Sequence, residues 1–164
     1  FAVPIAACVC LAFIWGVTHP SGKTPSETVP WLQDGNPYTE VADASGFQTL
    51  HLVLDAPADA SDVSYGILGG NIACISFTWN QADYDFRVSA DPDAVITGLS
   101  GSVLETLTPD DLPQGVFKDF GGMSEVTWSS NTLRCCLMQT GGAAQEDVLR
   151  LARILAASVA ADNN

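Results

Sequence analysis

From residue 62 onward the chain alternates apolar and polar residues in short runs, each interrupted by Gly, Pro, Asn or Asp. A repeat of two marks strands with one buried face, so antiparallel β-structure is expected over most of this region. Residues 62–68 form the first clear run. After Gly69-Gly70, residues 71–79 put Ala73, Ile75, Phe77 and Trp79 on one face. Residues 82–88 put Tyr84, Phe86 and Val88 on one face and Asp83, Asp85 and Arg87 on the other. The two runs flank Asn80-Gln81 and read as a hairpin with an aromatic inner face. A second hairpin is expected between residues 125–128 and 132–139, with Val126, Trp128, Leu133, Cys135 and Leu137 inward. Residues 102–107 and 115–120 are weaker strands.

The last element changes period. After Gly141-Gly142, residues 144–160 bring Val148, Leu151, Ala152, Leu155 and Val159 onto one helical face, with Glu146 and Asp147 in the first turn, where the helix dipole favours acids. Such a stripe needs an apolar surface, and the aromatic face of the sheet supplies one. The expected fold class is α+β: a meandering antiparallel β-sheet packed against a C-terminal amphipathic helix, preceded by an N-terminal membrane helix. A short helical turn is expected near residues 39–45.

The membrane helix rests on residues 1–17, FAVPIAACVCLAFIWGV, which carry no charged side chain. As a helix they would reach roughly 25 Å, just under the thickness of a bilayer core. The first residue is Phe rather than Met, so further residues are expected upstream. Three other readings compete with an anchor or signal-anchor. A secretory signal peptide would have a basic start and a small-residue cleavage site, and this run has neither. Ile5-Ala6-Ala7-Cys8 has the form of a lipobox, which makes Cys8 a candidate lipidation site, although the chain stays apolar through Val17 instead of turning polar after the cysteine. The last is a buried core helix. Between residues 18 and 45 Lys23 faces Glu27, Asp34, Glu40 and Asp43, so this flank lacks the positive bias of a cytoplasmic segment, and the domain is expected outside the cell membrane.

The resulting organisation is an anchor over residues 1–17, a spacer over 18–38 and an extracytoplasmic α+β domain over 39–160. Pro20, Pro25, Pro30 and Pro37 hold the spacer extended and deny it a helix. Trp31 and Leu32 are its bulky apolar pair, expected to pack on the domain edge. With 6 Lys+Arg against 19 Asp+Glu, the formal charge of −13 repels nucleic acid and anionic lipid head groups. The expected partners are the membrane, through residues 1–17, and an extracellular ligand or protein. Asp91-Pro92-Asp93 and Asp110-Asp111 are turn-like pairs without the spacing of a calcium loop, and no motif asks for a metal or a cofactor.

Asn36-Pro37, Gly46-Phe47, Tyr65-Gly66-Ile67, Ile75-Ser76-Phe77, Tyr84-Asp85-Phe86-Arg87, Leu99-Ser100-Gly101, Trp128 and the final helix follow one another in an order that resembles a family of uncharacterised extracytoplasmic domains. Such domains occur in small anchored lipoproteins of Gram-positive anaerobes and behind the transmembrane helix of anti-sigma-factor-like regulators. The resemblance covers about residues 36–158 and rests on short patches of strand pattern. It implies an extracytoplasmic domain without known catalysis and carries over no catalytic residue. The chain departs from the lipoproteins in the apolar run beyond Cys8, and it does not contain the cytosolic part of a regulator.

Catalytic patterns are sparse. His19 lies in the spacer and His51 in the run 49–54, where a partly buried strand histidine is the ordinary reading; a serine nucleophile served by His51 would need partners from elsewhere. Gly98-Leu99-Ser100-Gly101-Ser102 misses the G-x-S-x-G pattern at its last position. Asp83 and Asp85, two apart on a strand, stand roughly 6.5–7 Å apart, within reach of glycosidase geometry. They are expected on a solvent face, hydrated or paired with Arg87. Arg87 is the base of that hairpin, a candidate ligand contact whose plainer role is an ion pair. Cys74, Cys135 and Cys136 fall in the domain. Neighbours on a strand point to opposite faces, so Cys135 is expected inward and Cys136 outward, with Cys74 on the outer face as well. A Cys74–Cys136 disulfide across neighbouring strands is one expectation; three buried reduced thiols is the other.

The expected function is therefore non-enzymatic: a membrane-anchored extracytoplasmic binding or sensing domain. The alternatives are the sensory ectodomain of a transmembrane anti-sigma-like regulator and, more remotely, a hydrolase.

Overall fold

The computed structural model describes residues 37–162, with side chains through Val159. Residues 1–17, Cys8, the spacer as far as residue 36 and the Trp31-Leu32 pair lie outside the described residues. Among the described residues no helix is long and apolar enough to cross a membrane.

Eight antiparallel strands form one open sheet in the order β1-β2-β3-β4-β8-β7-β6-β5. They are β1 (Tyr38–Val41), β2 (Ser61–Leu68), β3 (Ile72–Trp79), β4 (Ala82–Ser89), β5 (Glu105–Leu107), β6 (Val116–Asp119), β7 (Met123–Ser130) and β8 (Leu133–Thr140), followed by helix α1 (Gln145–Asp162). A meandering sheet covered by a C-terminal helix is what the alternation of residues predicts. The β3–β4 turn places Asn80 and Gln81 at φ 48° and 66°, the mirror-image turn whose twist matches the flanking strands.

The region expected to hold a short helical turn divides differently. Tyr38, the last residue of the expected spacer, opens edge strand β1, and a 3-10 helix follows at Ala44–Leu50. Asp43 caps that helix by accepting from the Ser45 N–H at 2.8 Å, and Phe47 drops from it into the core, fully buried.

The sheet is built from two similar halves. Each boundary of β7 and β8 falls 51 residues after the matching boundary of β3 and β4: Ile72 and Met123, Trp79 and Ser130, Ala82 and Leu133, Ser89 and Thr140. The preceding turns match too, as Gly69-Gly70 and Gly121-Gly122 all have positive φ. The halves meet where β4 pairs with β8.

Both faces of the sheet are covered. On one face Ile75, Phe77, Trp79, Tyr84, Phe86, Val126, Trp128, Cys135 and Leu137 form the main core with Val148, Leu151, Ala152, Leu155 and Val159 of α1 and Phe47, Leu52 and Leu54. Phe86 stacks on Trp128 with ring centroids 5.8 Å apart and planes 7° apart, which adds aromatic contact to simple burial. On the other face Leu68, Ile72, Cys74, Cys136 and Met138 pack against Ala94, Ile96 and Leu99 from the connection between β4 and β5. That connection, residues 90–104, contains no helix or strand.

Candidate functional site

The second face is where the structure departs most from expectation. Asp85 and Arg87 were expected at a solvent face; each is only 3% exposed. Arg87 Nε donates to Asp85 Oδ2 at 2.7 Å, and Ser76 Oγ donates to Asp85 Oδ1 at 3.2 Å. Burial pushes the Asp85 carboxyl above its ordinary range, while the Arg87 charge and the hydrogen bonds from Arg87 and Ser76 pull it back. Arg87 is thus committed to an internal ion pair, the plainer of its two expected roles. Asp83 stays exposed and accepts from Thr78 Oγ1 at 2.8 Å, whereas Asp85 is buried.

Glu125 lies on the same face and is 2% exposed. Its closest cation is Lys118 of the adjacent strand, 3.8 Å away, and its Oε2 has no hydrogen-bond partner. Burial raises its pKa, opposed by the charge of Lys118 and by the backbone N–H groups of Gly98 and Leu99. Sequence alternation gave no reason to single out this residue.

Cys74, Cys135 and Cys136 are all free and buried. Cys135 faces α1, and Cys74 and Cys136 lie on the second face, as expected from the side-chain alternation. The expected disulfide is corrected by the strand order. Arg87 on β4 is the register partner of both Cys74 on β3 and Cys136 on β8. Two strand spacings put the cysteine Cα atoms roughly 10 Å apart, beyond disulfide reach. Desolvation pushes the Cys74 and Cys135 thiols up to about 12 and Cys136 well above its usual value, so all three are poor nucleophiles in the folded protein.

His51 is neither in a strand nor buried. It caps the 3-10 helix in the left-handed region, φ 56°, its N–H donating to Gln48 O at 3.0 Å, and its side chain is exposed. Ser100 and Gly101 lie in an exposed coil. No group of three or more His, Cys, Asp or Glu able to hold a metal occurs among the described residues.

A cavity lies on the helix side. It measures about 510 Å³ and lies between the C-terminal half of α1 (Arg153, Ala156, Ala157), residues 111–114 and the β7–β8 turn, with Trp128 in its lining. Two contacts position the 111–114 segment: Ser129 N–H donates to Pro113 O at 2.9 Å, and Ser129 Oγ donates to Gln114 Oε1 at 3.0 Å. Arg153 pairs with Asp111 at the rim, and that bond holds the exposed Asp111 carboxyl below its usual range. Trp128 is 2% exposed, and its Nε1 has no hydrogen-bond partner. The lining thus combines apolar Leu112, Pro113, Trp128 and Ala156 with a guanidinium–carboxylate pair, two amides and two hydroxyls.

A smaller cavity of about 180 Å³ lies at the other end of the α1–β7 seam, among Phe117, Ser124, Gln139 and Ala143. The Gln139 amide oxygen, oriented to satisfy both ends of the group, accepts from the N–H groups of Gly141, Gly142 and Ala143 at 2.9–3.1 Å. This side chain therefore fills the cradle of amides that precedes α1.

Comparison of the chain with family models, with curated proteins and with solved structures finds no match.

Proposed function

We propose that the domain is a binding or sensing module, held on the outer side of a cell membrane by residues 1–17, that takes a small amphipathic molecule in the 510 Å³ cavity beside α1. The cavity carries this reading. Its volume falls within the range of small-molecule sites, and it has an apolar floor with a few convergent polar groups. Its described lining holds no His, Cys or Lys, and its one acid is paired with Arg153. Such a lining suits recognition better than proton or acyl transfer.

Native mass spectrometry of the full chain extracted from its own membrane, wild type against Ala157→Trp, tests the site. A small molecule retained by the wild type and lost from the variant supports the assignment. Equal retention by both proteins overturns it. So does the absence of any bound molecule combined with an unchanged melting temperature across amino acids, monosaccharides and short-chain carboxylates.

The membrane part of the reading has its own test. Terminal peptide mapping of the native protein that finds a start close to Phe1, or a lipid on Cys8, supports a stalked module. A long cytosolic extension would make the same domain the ectodomain of a regulator.

A further inference from the structure

The connection between β4 and β5 is long for a compact domain, has no regular structure over residues 90–104, and still covers the part of the second sheet face that carries Ile72, Cys74, Cys136 and Met138. Loops of this length without secondary structure are commonly lids or binding loops. Few apolar residues hold it, Ala94, Ile96 and Leu99. Charged side chains on the sheet reach its backbone along its length. Arg134 Nη1 donates to Pro92 O at 2.7 Å and to Ala94 O at 2.8 Å, and Arg87 Nη1 reaches Ile96 O at 3.5 Å. The Glu125 carboxylate lies under the N–H groups of Gly98 and Leu99. Gly98 permits the close fit, because a Cβ there would stand 2.9 Å from Arg87 Nη1.

We propose that residues 92–99 are a lid whose opening uncovers Arg87, Cys74 and Cys136, and that the charge on Glu125 sets how often it opens. The physical reason is the carboxylate's position. With the lid closed, Glu125 is withdrawn from water, one oxygen has no partner, and its ion-pair partner Lys118 stands 3.8 Å off. An ionised carboxylate in such a place gains by hydration, which opening provides. A protonated one gains far less. The raised Glu125 pKa agrees in sign, since it means that the closed state prefers the neutral form.

The other charged or titratable groups near Glu125 are Lys118 on β6, Arg87 and Asp85 on β4, and Cys136 on β8. Lys118 and Arg87 favour the ionised form. Arg87 is already matched by Asp85, and Lys118 is partly exposed, with its side chain 39% accessible, so neither compensates Glu125 fully. Ionisation of Glu125 therefore opens the lid, and acidification closes it.

The three cysteines among the described residues supply the readout. Cys74 and Cys136 lie beneath the lid, and Cys135 lies on the opposite face under α1, where it reports global unfolding. Alkylation of the full chain with excess iodoacetamide at pH 8, resolved by peptide mapping, should label Cys74 and Cys136 before Cys135. At the same pH, Glu125→Gln should slow the first two by roughly fivefold or more and leave Cys135 unchanged, and Gly98→Val should accelerate the first two. Hydrogen exchange of wild-type amides 94–99, corrected for intrinsic rates, should show more opening at pH 8 than at pH 5. This last measurement also decides the matter if Glu125→Gln folds poorly. One common labelling rate for all three thiols, faster labelling of Cys136 in a stable Glu125→Gln, or more opening at pH 5 would overturn the lid.

Discussion

Phe86 and Leu137 face each other across the β4–β8 ladder and occupy the same position in the two halves of the sheet. The approximate two-fold relation between the halves therefore passes through this pair, at the middle of the eight strands. Both side chains are buried, 1% and 0% exposed. Their neighbours follow the same relation, with Ile75 beside Phe86 and Val126 beside Leu137. The half-to-half contact on this face is thus a continuous apolar ladder.

Truncation at this seam should be expensive. Phe86→Ala should cost about 3–5 kcal/mol and Leu137→Ala about 2–5 kcal/mol, because both leave cavities in a core closed on either side. The double variant should differ from the sum of the singles by about 0.5–3 kcal/mol, since the residues touch. Urea unfolding monitored by circular dichroism measures all three. Val95→Ala at an exposed position serves as the control, with an expected change within about 0.5 kcal/mol.

The ion pair beneath the lid should show the asymmetry of buried charges. Asp85→Ala strands Arg87 without a carboxylate and should destabilise by about 3–5 kcal/mol. Replacing both partners, Asp85→Leu with Arg87→Met, should be close to neutral or stabilising, because the desolvation cost of two charges disappears with their attraction. Chemical denaturation of the single and double variants distinguishes this from a surface pair, whose loss would cost less than about 1 kcal/mol.

Glu125 gives stability an unusual slope with pH. A carboxyl whose folded pKa is raised binds its proton more tightly in the native state. Its contribution to stability is complete below the ordinary value of 4.5 and is lost as pH rises through the folded pKa. Asp85, also raised, acts in the same direction. The stability of the wild type relative to Glu125→Gln should therefore be level below pH 4.5 and fall above it. Thermal melts of both proteins from pH 4 to 8 measure the difference. The lowered Asp111 and Asp43 carboxyls act in the opposite sense and cancel in that comparison.

Protein taken from its native compartment should carry Cys74, Cys135 and Cys136 as free thiols. Strand β4 separates the two cysteines that share a face, and desolvation keeps all three in the thiol form at neutral pH. Alkylation should be slow in the native state and complete in guanidinium chloride. Mass mapping that linked Cys74 to Cys136 would contradict the strand order itself.

Local pattern determined much of this protein. Side-chain alternation identified β3, β4, β7 and β8 and which residues face the helix, because a pleated strand assigns faces by parity alone. Periodicity likewise identified the apolar stripe of α1, all five residues of which are buried. Two local readings shifted where short-range geometry was at stake. The short helical turn expected near residues 39–45 forms at Ala44–Leu50 because Val41 and its neighbours pair with β2, and His51 ends that 3-10 turn in place of sitting in a strand.

Tertiary structure decided the rest. The pairing of β4 with β8 depends on how two hairpins meet, which no local run encodes, and it alone separates Cys74 from Cys136. The second face looked solvent-exposed because Asp85 and Arg87 alternate with apolar residues. A contrary signal existed in the near-continuous apolar runs Ile72–Ile75 and Cys135–Met138, which mark strands buried on both faces. What covers that face is the irregular segment after β4, held mostly by bonds from side chains to its backbone. Backbone acceptors and donors are common to every residue, so the sequence by itself determined the strands and the helix, and only the tertiary structure decided which charges would be buried between them.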